Sequence, residues 1–129
     1  MKTMRIQAIG WKFAWNGFRY VVKTQFNFRL QLSIAVITLL VAAFLKLSVI
    51  EWSLILLCIG TVLTLETVNT AIEVFVNMVQ PEYAPTAGLI KDLSAAAVFI
   101  SAGISVVIGL IIFLPKVGSF CIAVSNFSF

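Results

Sequence analysis

At 129 residues the chain has room for one domain, and its composition is that of a membrane protein: 61% of residues are hydrophobic, 11% are charged and none is histidine. Too few charged residues remain to coat a water-soluble surface, and a net charge of +4 gathered near the N-terminus argues against a nucleic-acid partner. With no histidine, and with Cys58 and Cys121 far apart, a His- or Cys-ligated zinc site is excluded. Any metal is then a hard, oxygen-bound ion such as magnesium.

The first 29 residues carry six cations, Lys2, Arg5, Lys12, Arg19, Lys23 and Arg29, and no small-residue cleavage site follows. A cleavable signal is therefore not expected. Arg5, Lys12, Arg19 and Lys23 fall within about 40° of one another on a helical wheel. Phe13, Trp15, Phe18, Tyr20, Phe26 and Phe28 spread around the rest. This predicts an amphipathic helix over about 5–28, lying in the membrane surface with its cations toward anionic headgroups. Gly10 and Gly17 weaken the case for one unbroken helix.

Between Arg29 and Lys46 lie 16 uncharged residues, about 24 Å of helix, and the two flanking cations can snorkel to cover the remaining bilayer thickness. A first transmembrane helix is expected over about 29–47. A second runs over about 51–79, opened by the interfacial Trp52 and closed before Pro81. A polar loop is expected from Pro81 to Ile90. A third helix follows over about 92–114, with Asp92 favourable at its N-terminus and Pro115 ending it. On that helix Ala97, Ser101, Ser105 and Gly109 recur every four residues, a small-residue face suited to close packing. Residues 1–116 form the expected domain, and 117–129 a tail with no legible role. The excess of cations before the first span places the N-terminus in the cytoplasm. Three spans then put the loop with Glu82, Lys91 and Asp92 on that same side. The fold class is an all-α, multi-pass membrane protein with an interfacial helix and three transmembrane helices.

The stretch from Glu66 to Asp92 holds four of the five acidic residues. At about 100° per residue, Glu66, Asn69, Glu73 and Asn77 fall at about 0°, 300°, 340° and 20°. They form one polar stripe that begins where a hydrophobic run ends. Glu66 lies about 22 Å along the helix from Glu51, near the opposite membrane boundary, and Glu73 about 10 Å beyond it. Ionisable groups at such a boundary are expensive and mark a functional site. A solvated helix end is the plain structural alternative.

Three groups of residues carry a family resemblance. They are Glu66-x-x-Asn69-Thr-Ala-Ile-Glu73, Pro81-Glu82-Tyr83, and Lys91-Asp92-x-x-Ala-Ala-Ala-Val. Together with Trp15-x-Gly17 and Asn27-Phe28-Arg29, this pattern over about residues 9–116 resembles the small integral-membrane diacylglycerol kinases of bacteria, which include undecaprenol kinases. The resemblance implies a homotrimer with active sites at the membrane–cytoplasm boundary, no P-loop, and Mg2+ acting with ATP on a membrane lipid alcohol. By matching position it implies Glu66 as the base that takes the lipid hydroxyl proton and Glu73 as a magnesium ligand. Asn69, Lys91 and Asp92 would arrange the phosphates, and Glu82 and Tyr83 would lie near the nucleotide. Arg29, Ala95 and Glu66 would meet the lipid.

Two positions depart from the family pattern. Gln25 stands where a second metal-binding glutamate is usual, and Asn77 where an aspartate is usual; both remove negative charge from the metal site. Gln25 is still assigned to metal and nucleotide, and Asn77 to the stripe. Undecaprenol is favoured as substrate through Phe44-Leu-Lys-Leu-Ser48 and the Ile-Ile-Phe-Leu-Pro-Lys run ending at Lys116, with diacylglycerol the alternative. A non-catalytic pseudokinase or lipid-binding subunit is the rival from another class. A small transporter is weaker still, because no charge deep in the bilayer marks a pathway.

Overall fold

The computed structural model describes residues 2–126, with side chains from residue 10 onward. The side chains of Lys2 and Arg5, and residues 127–129 of the tail, lie outside the described residues. The described chain is helical: α1 Lys2–Thr24, α2 Phe26–Phe44, α3 Val49–Val79 and α4 Pro85–Asn126. The last three are long and apolar enough to cross a membrane, which makes this a membrane protein with an additional N-terminal helix. Their outer faces carry exposed side chains such as Ile37, Leu40, Leu57, Phe99 and Ile111, which lipid tails would solvate.

α1 runs unbroken through Gly10 and Gly17 and ends four residues earlier than expected. Its Trp11, Phe13 and Trp15 are exposed, while Val21 is buried and Phe18 meets Phe28 of α2 edge to face at 6.0 Å. The chain turns at Gln25, the extended N-cap residue of α2. Arg29 folds back over this turn, and its guanidinium donates to the Val22 and Lys23 carbonyls at 3.2 and 3.0 Å. It thus satisfies carbonyls left open at the end of α1.

The joint between α2 and α3 is closed on both sides. Lys46 N–H donates to Ala43 O and Leu47 N–H to Ala42 O, a paired closure that satisfies the last carbonyls of α2. This closure needs a left-handed residue, and Lys46 supplies it with φ 52°. Leu47 and Ala42 are both buried in one cluster with Ile55 and Ile112. Ser48 then caps α3: its hydroxyl accepts from Glu51 N–H at 3.3 Å, and the Glu51 carboxylate accepts from Ser48 N–H at 2.7 Å. Lys116 of α4 pairs with Glu51 at 3.1 Å.

α2 also lies three residues earlier than expected, Phe26–Phe44 against 29–47, and α4 differs from the sequence reading at both ends. The polar loop is only Gln80–Ala84, because Pro85 begins α4 rather than delaying it. Proline is tolerated in the first helical turn, where its missing N–H has no intrahelical partner to lose. Lys91 and Asp92 therefore lie well inside α4, and the dipole argument for Asp92 falls away. At the other end α4 does not stop at Pro115 but continues to Asn126. The extension is held where Phe120 meets Phe44 edge to face at 5.4 Å. The small-residue face is partly used: Ser101, Ser105 and Gly109 are half-buried but Ala97 is exposed, and Val98 and Ile112 carry the buried contacts of α4. α3 and α4 form the most extensive helix pairing, while α2 packs on α3.

Candidate active site

The polar stripe of α3 is buried at its start, half-buried at Glu73 and exposed at Asn77. Glu66 is 4% exposed, Asn69 8% and Thr70 2%, and these are the buried polar side chains of the described residues. A buried polar group needs a partner, and each finds one. The Gln31 amide of α2 donates to Glu66 Oε2 at 3.0 Å, and the Thr70 hydroxyl donates back to the Glu66 carbonyl at 2.9 Å. The Asn69 amide donates to Glu73 Oε1 at 3.1 Å, one turn along the same face. Asn69 Oδ1 in turn accepts from the Ser94 hydroxyl of α4 at 2.6 Å.

Further toward the helix end, Lys91 Nζ of α4 donates to Asn77 Oδ1 of α3 at 2.6 Å. Asn77 occupies one of three ammonium donors. The stripe is thereby tied to α2 through Gln31 and to α4 through Ser94 and Lys91. Glu73 is half-buried, with one carboxylate oxygen engaged by Asn69. Charge is unevenly spread here: Glu66 meets a neutral amide, whereas Lys91 meets a neutral carbonyl oxygen. Neither charge is cancelled by the contact it makes.

Several assigned residues stand apart from this network. Glu82 and Tyr83 sit exposed in the loop after α3, with the Gln80 amide donating to the Glu82 carbonyl at 3.3 Å. Asp92 and Ala95 are exposed on α4. Arg29 is engaged with α1 carbonyls, so its observed contacts are structural ones. Gln25 is half-buried at the α1–α2 turn, and its side chain makes no cap hydrogen bond. Gln31 and Ser94 were absent from the sequence assignment. A lone amide in an apolar helix is a recognisable signal for Gln31, since such groups bond across membrane helices. Ser94 lies three residues after Lys91, on the same helix face.

Among the described residues no three Asp, Glu, His or Cys side chains gather as a preformed metal site. The donor chemistry does fit magnesium carried by a nucleotide. Mg2+ is usually held by one or two carboxylates together with substrate phosphates. Glu73 offers such a carboxylate, while the Asn69 and Asn77 carbonyl oxygens are neutral and each already accepts one hydrogen bond, from Ser94 and Lys91.

Comparison with known proteins identifies the family. The family described as prokaryotic diacylglycerol kinase matches residues 12–113. An undecaprenol kinase of Bacillus subtilis is 41% identical over 103 residues, covering 80% of this chain and 84% of the relative. A diacylglycerol kinase of Synechocystis is 33% identical over 108 residues, covering 83% of this chain and 62% of the relative. A diacylglycerol kinase of Escherichia coli is 29% identical over 105 residues, covering 81% and 84%. The chain belongs to the prokaryotic diacylglycerol kinase family and is a lipid kinase.

Proposed function

We propose that this lipid kinase transfers the γ-phosphate of ATP to undecaprenol at the cytoplasmic boundary of the cell membrane. The observation that carries the reading is Glu66: a carboxylate 4% exposed, held between two apolar helices at the start of the polar stripe. A lipid hydroxyl at the membrane boundary meets this group before any other carboxylate of the stripe. Glu66 takes the hydroxyl proton as the alcohol oxygen bonds to phosphorus, and ADP leaves with the bridging oxygen. Lys91 compensates phosphate charge with the donors Asn77 leaves free, and Asn69 keeps Glu73 oriented. Asp92, Glu82 and Tyr83 lie on the water side, where a nucleotide base and ribose would approach. Glu73, with Gln25 contributing a neutral oxygen, would hold Mg2+. That ion, when bound, offsets negative charge on the phosphates.

Undecaprenol is preferred over diacylglycerol because the 41%-identical relative is an undecaprenol kinase, while the two diacylglycerol kinases stand at 33% and 29%. Six cations before residue 30 support a cytoplasmic N-terminus, which puts the stripe on the ATP side. A homotrimer agrees with the family resemblance and would cover polar side chains such as Asn77 and Asp92 that one subunit leaves exposed. The test is a competition assay offering purified protein equal amounts of undecaprenol and diacylglycerol with labelled ATP. Preferential labelling of undecaprenol is expected. Preferential labelling of diacylglycerol would transfer the same chemistry to the other lipid.

A further inference from the structure

We infer that Gln31 is a positioning residue for the proton-accepting Glu66, an amide able to partner that side chain before and after it takes the proton; the inference rests on the lipid kinase reading above. A carboxylate is acceptor-only, so the face Gln31 turns to Glu66 Oε2, at 3.0 Å, is its amide nitrogen. The other half of the same amide has no partner: Gln31 Oε1 is buried without a hydrogen bond. A buried polar atom left unsatisfied in a native fold calls for an explanation.

Proton accounting supplies one. In the transfer step the alcohol O–H bond breaks, the alcohol oxygen bonds to the γ-phosphorus as the bond to the bridging oxygen breaks and ADP leaves, and the proton arrives on Glu66. Glu66 then carries an O–H donor beside its remaining acceptor oxygen, and with the proton on Oε2, the oxygen Gln31 faces, an amide nitrogen no longer suits it. Turning the Gln31 amide over about its last bond presents Oε1 to the new O–H group. The acceptor unused in one state becomes the partner in the other. An amide is suited to both roles; a carboxylate or an aliphatic side chain at residue 31 is not. Gln31 also lies at the rim of an apolar cleft of about 360 Å³ between α2, α3 and α4, whose walls include Ile34, Ile55, Val62 and Val106. Little water reaches such a place to substitute for the amide.

The experiment pairs kinetics with infrared spectroscopy on the intact protein in lipid. The parent, Gln31→Leu and Gln31→Glu are compared under saturating Mg·ATP and lipid alcohol. Gln31→Leu should lower kcat about tenfold while KM for ATP and for the lipid stays within about threefold, because the lost contact belongs to the base and not to either substrate. Gln31→Glu should lower kcat at least as far, since it sets a second carboxylate against the first. The infrared carboxylate band that Glu66→Gln removes should shift in Gln31→Leu, a change that general loosening of the helices would not produce. An unmoved band, or a fall in activity seen only as raised KM, would overturn the inference while leaving the kinase intact. A parent that transfers no phosphate would instead defeat the functional reading, and the infrared arm would still report whether Gln31 holds Glu66.

Discussion

At the end of the molecule where α2 turns into α3, polar groups are matched in charge and geometry. Ser48 and Glu51 cap each other, Glu51 pairs with Lys116 at 3.1 Å, and Lys46 and Leu47 close the last carbonyls of α2 over a buried apolar cluster. At the opposite end the groups are matched in geometry but not in charge. Glu66 is buried against a neutral amide, Lys91 reaches a neutral carbonyl, and Gln31 Oε1 has no partner. The first arrangement suits stability, since caps and helix closures satisfy orphan backbone groups. The second leaves Glu66 and Lys91 on neutral partners and one acceptor open, as the proposed phosphoryl-transfer site would need. On the proposed reading, the contrast separates the part of the chain that holds the fold from the part that holds the chemistry.

The largest expected effect breaks the second end without touching the first. Glu66→Gln removes the proposed base and should reduce transfer by about 10²–10⁴-fold. The unfolding midpoint should hold or rise, because a buried carboxylate is exchanged for a neutral group of the same shape that still reaches Gln31. Near-normal turnover would take Glu66 out of the mechanism.

The metal comes next in size. A unit charge about 4 Å from another contributes about 4 kcal/mol at an effective dielectric of about 20, before desolvation is subtracted. Glu73→Gln should therefore remove nearly all activity. Gln25→Glu should lower the magnesium concentration for half-maximal rate several-fold at fixed ATP. If Gln25→Glu leaves that titration in place, Gln25 is not at the metal. A silent Glu73→Gln would discard the metal assignment altogether.

The remaining tests fall on the far end and should alter stability alone. Ser48→Ala removes the cap of α3 and should cost about 0.5–2 kcal/mol in a denaturant titration, with kcat unchanged. Lys46→Gly relieves a left-handed residue and should stabilise by about 0.5–1 kcal/mol, again with kcat unchanged. A loss of turnover in either variant would show that the two ends are coupled.

The stripe was legible in the sequence because Glu66, Asn69, Glu73 and Asn77 share one helix, where spacing alone sets the face. Its cross-helix partners were not. Gln31 sits 35 residues from Glu66 and Ser94 25 from Asn69, so their contacts depend on how helices pack. The three spans could be read from hydropathy, but the ends of α4 could not. Pro85 and Pro115 both look like breakers, yet one sits where a helix tolerates proline and the other is carried through by packing of the extension on Phe44. Lys46 gave no hint of its left-handed backbone, because the position is usually marked by glycine.

The central claim, that chemistry and stability are lodged at opposite ends, is tested most directly by one paired measurement. Turnover of labelled ATP onto lipid and the unfolding midpoint are recorded on the same preparations of Glu66→Gln and Ser48→Ala. The account predicts a crossed pattern: Glu66→Gln loses transfer and keeps its midpoint, while Ser48→Ala keeps transfer and loses midpoint. Transfer that persists in Glu66→Gln, or that disappears there only because the protein unfolds, would contradict it.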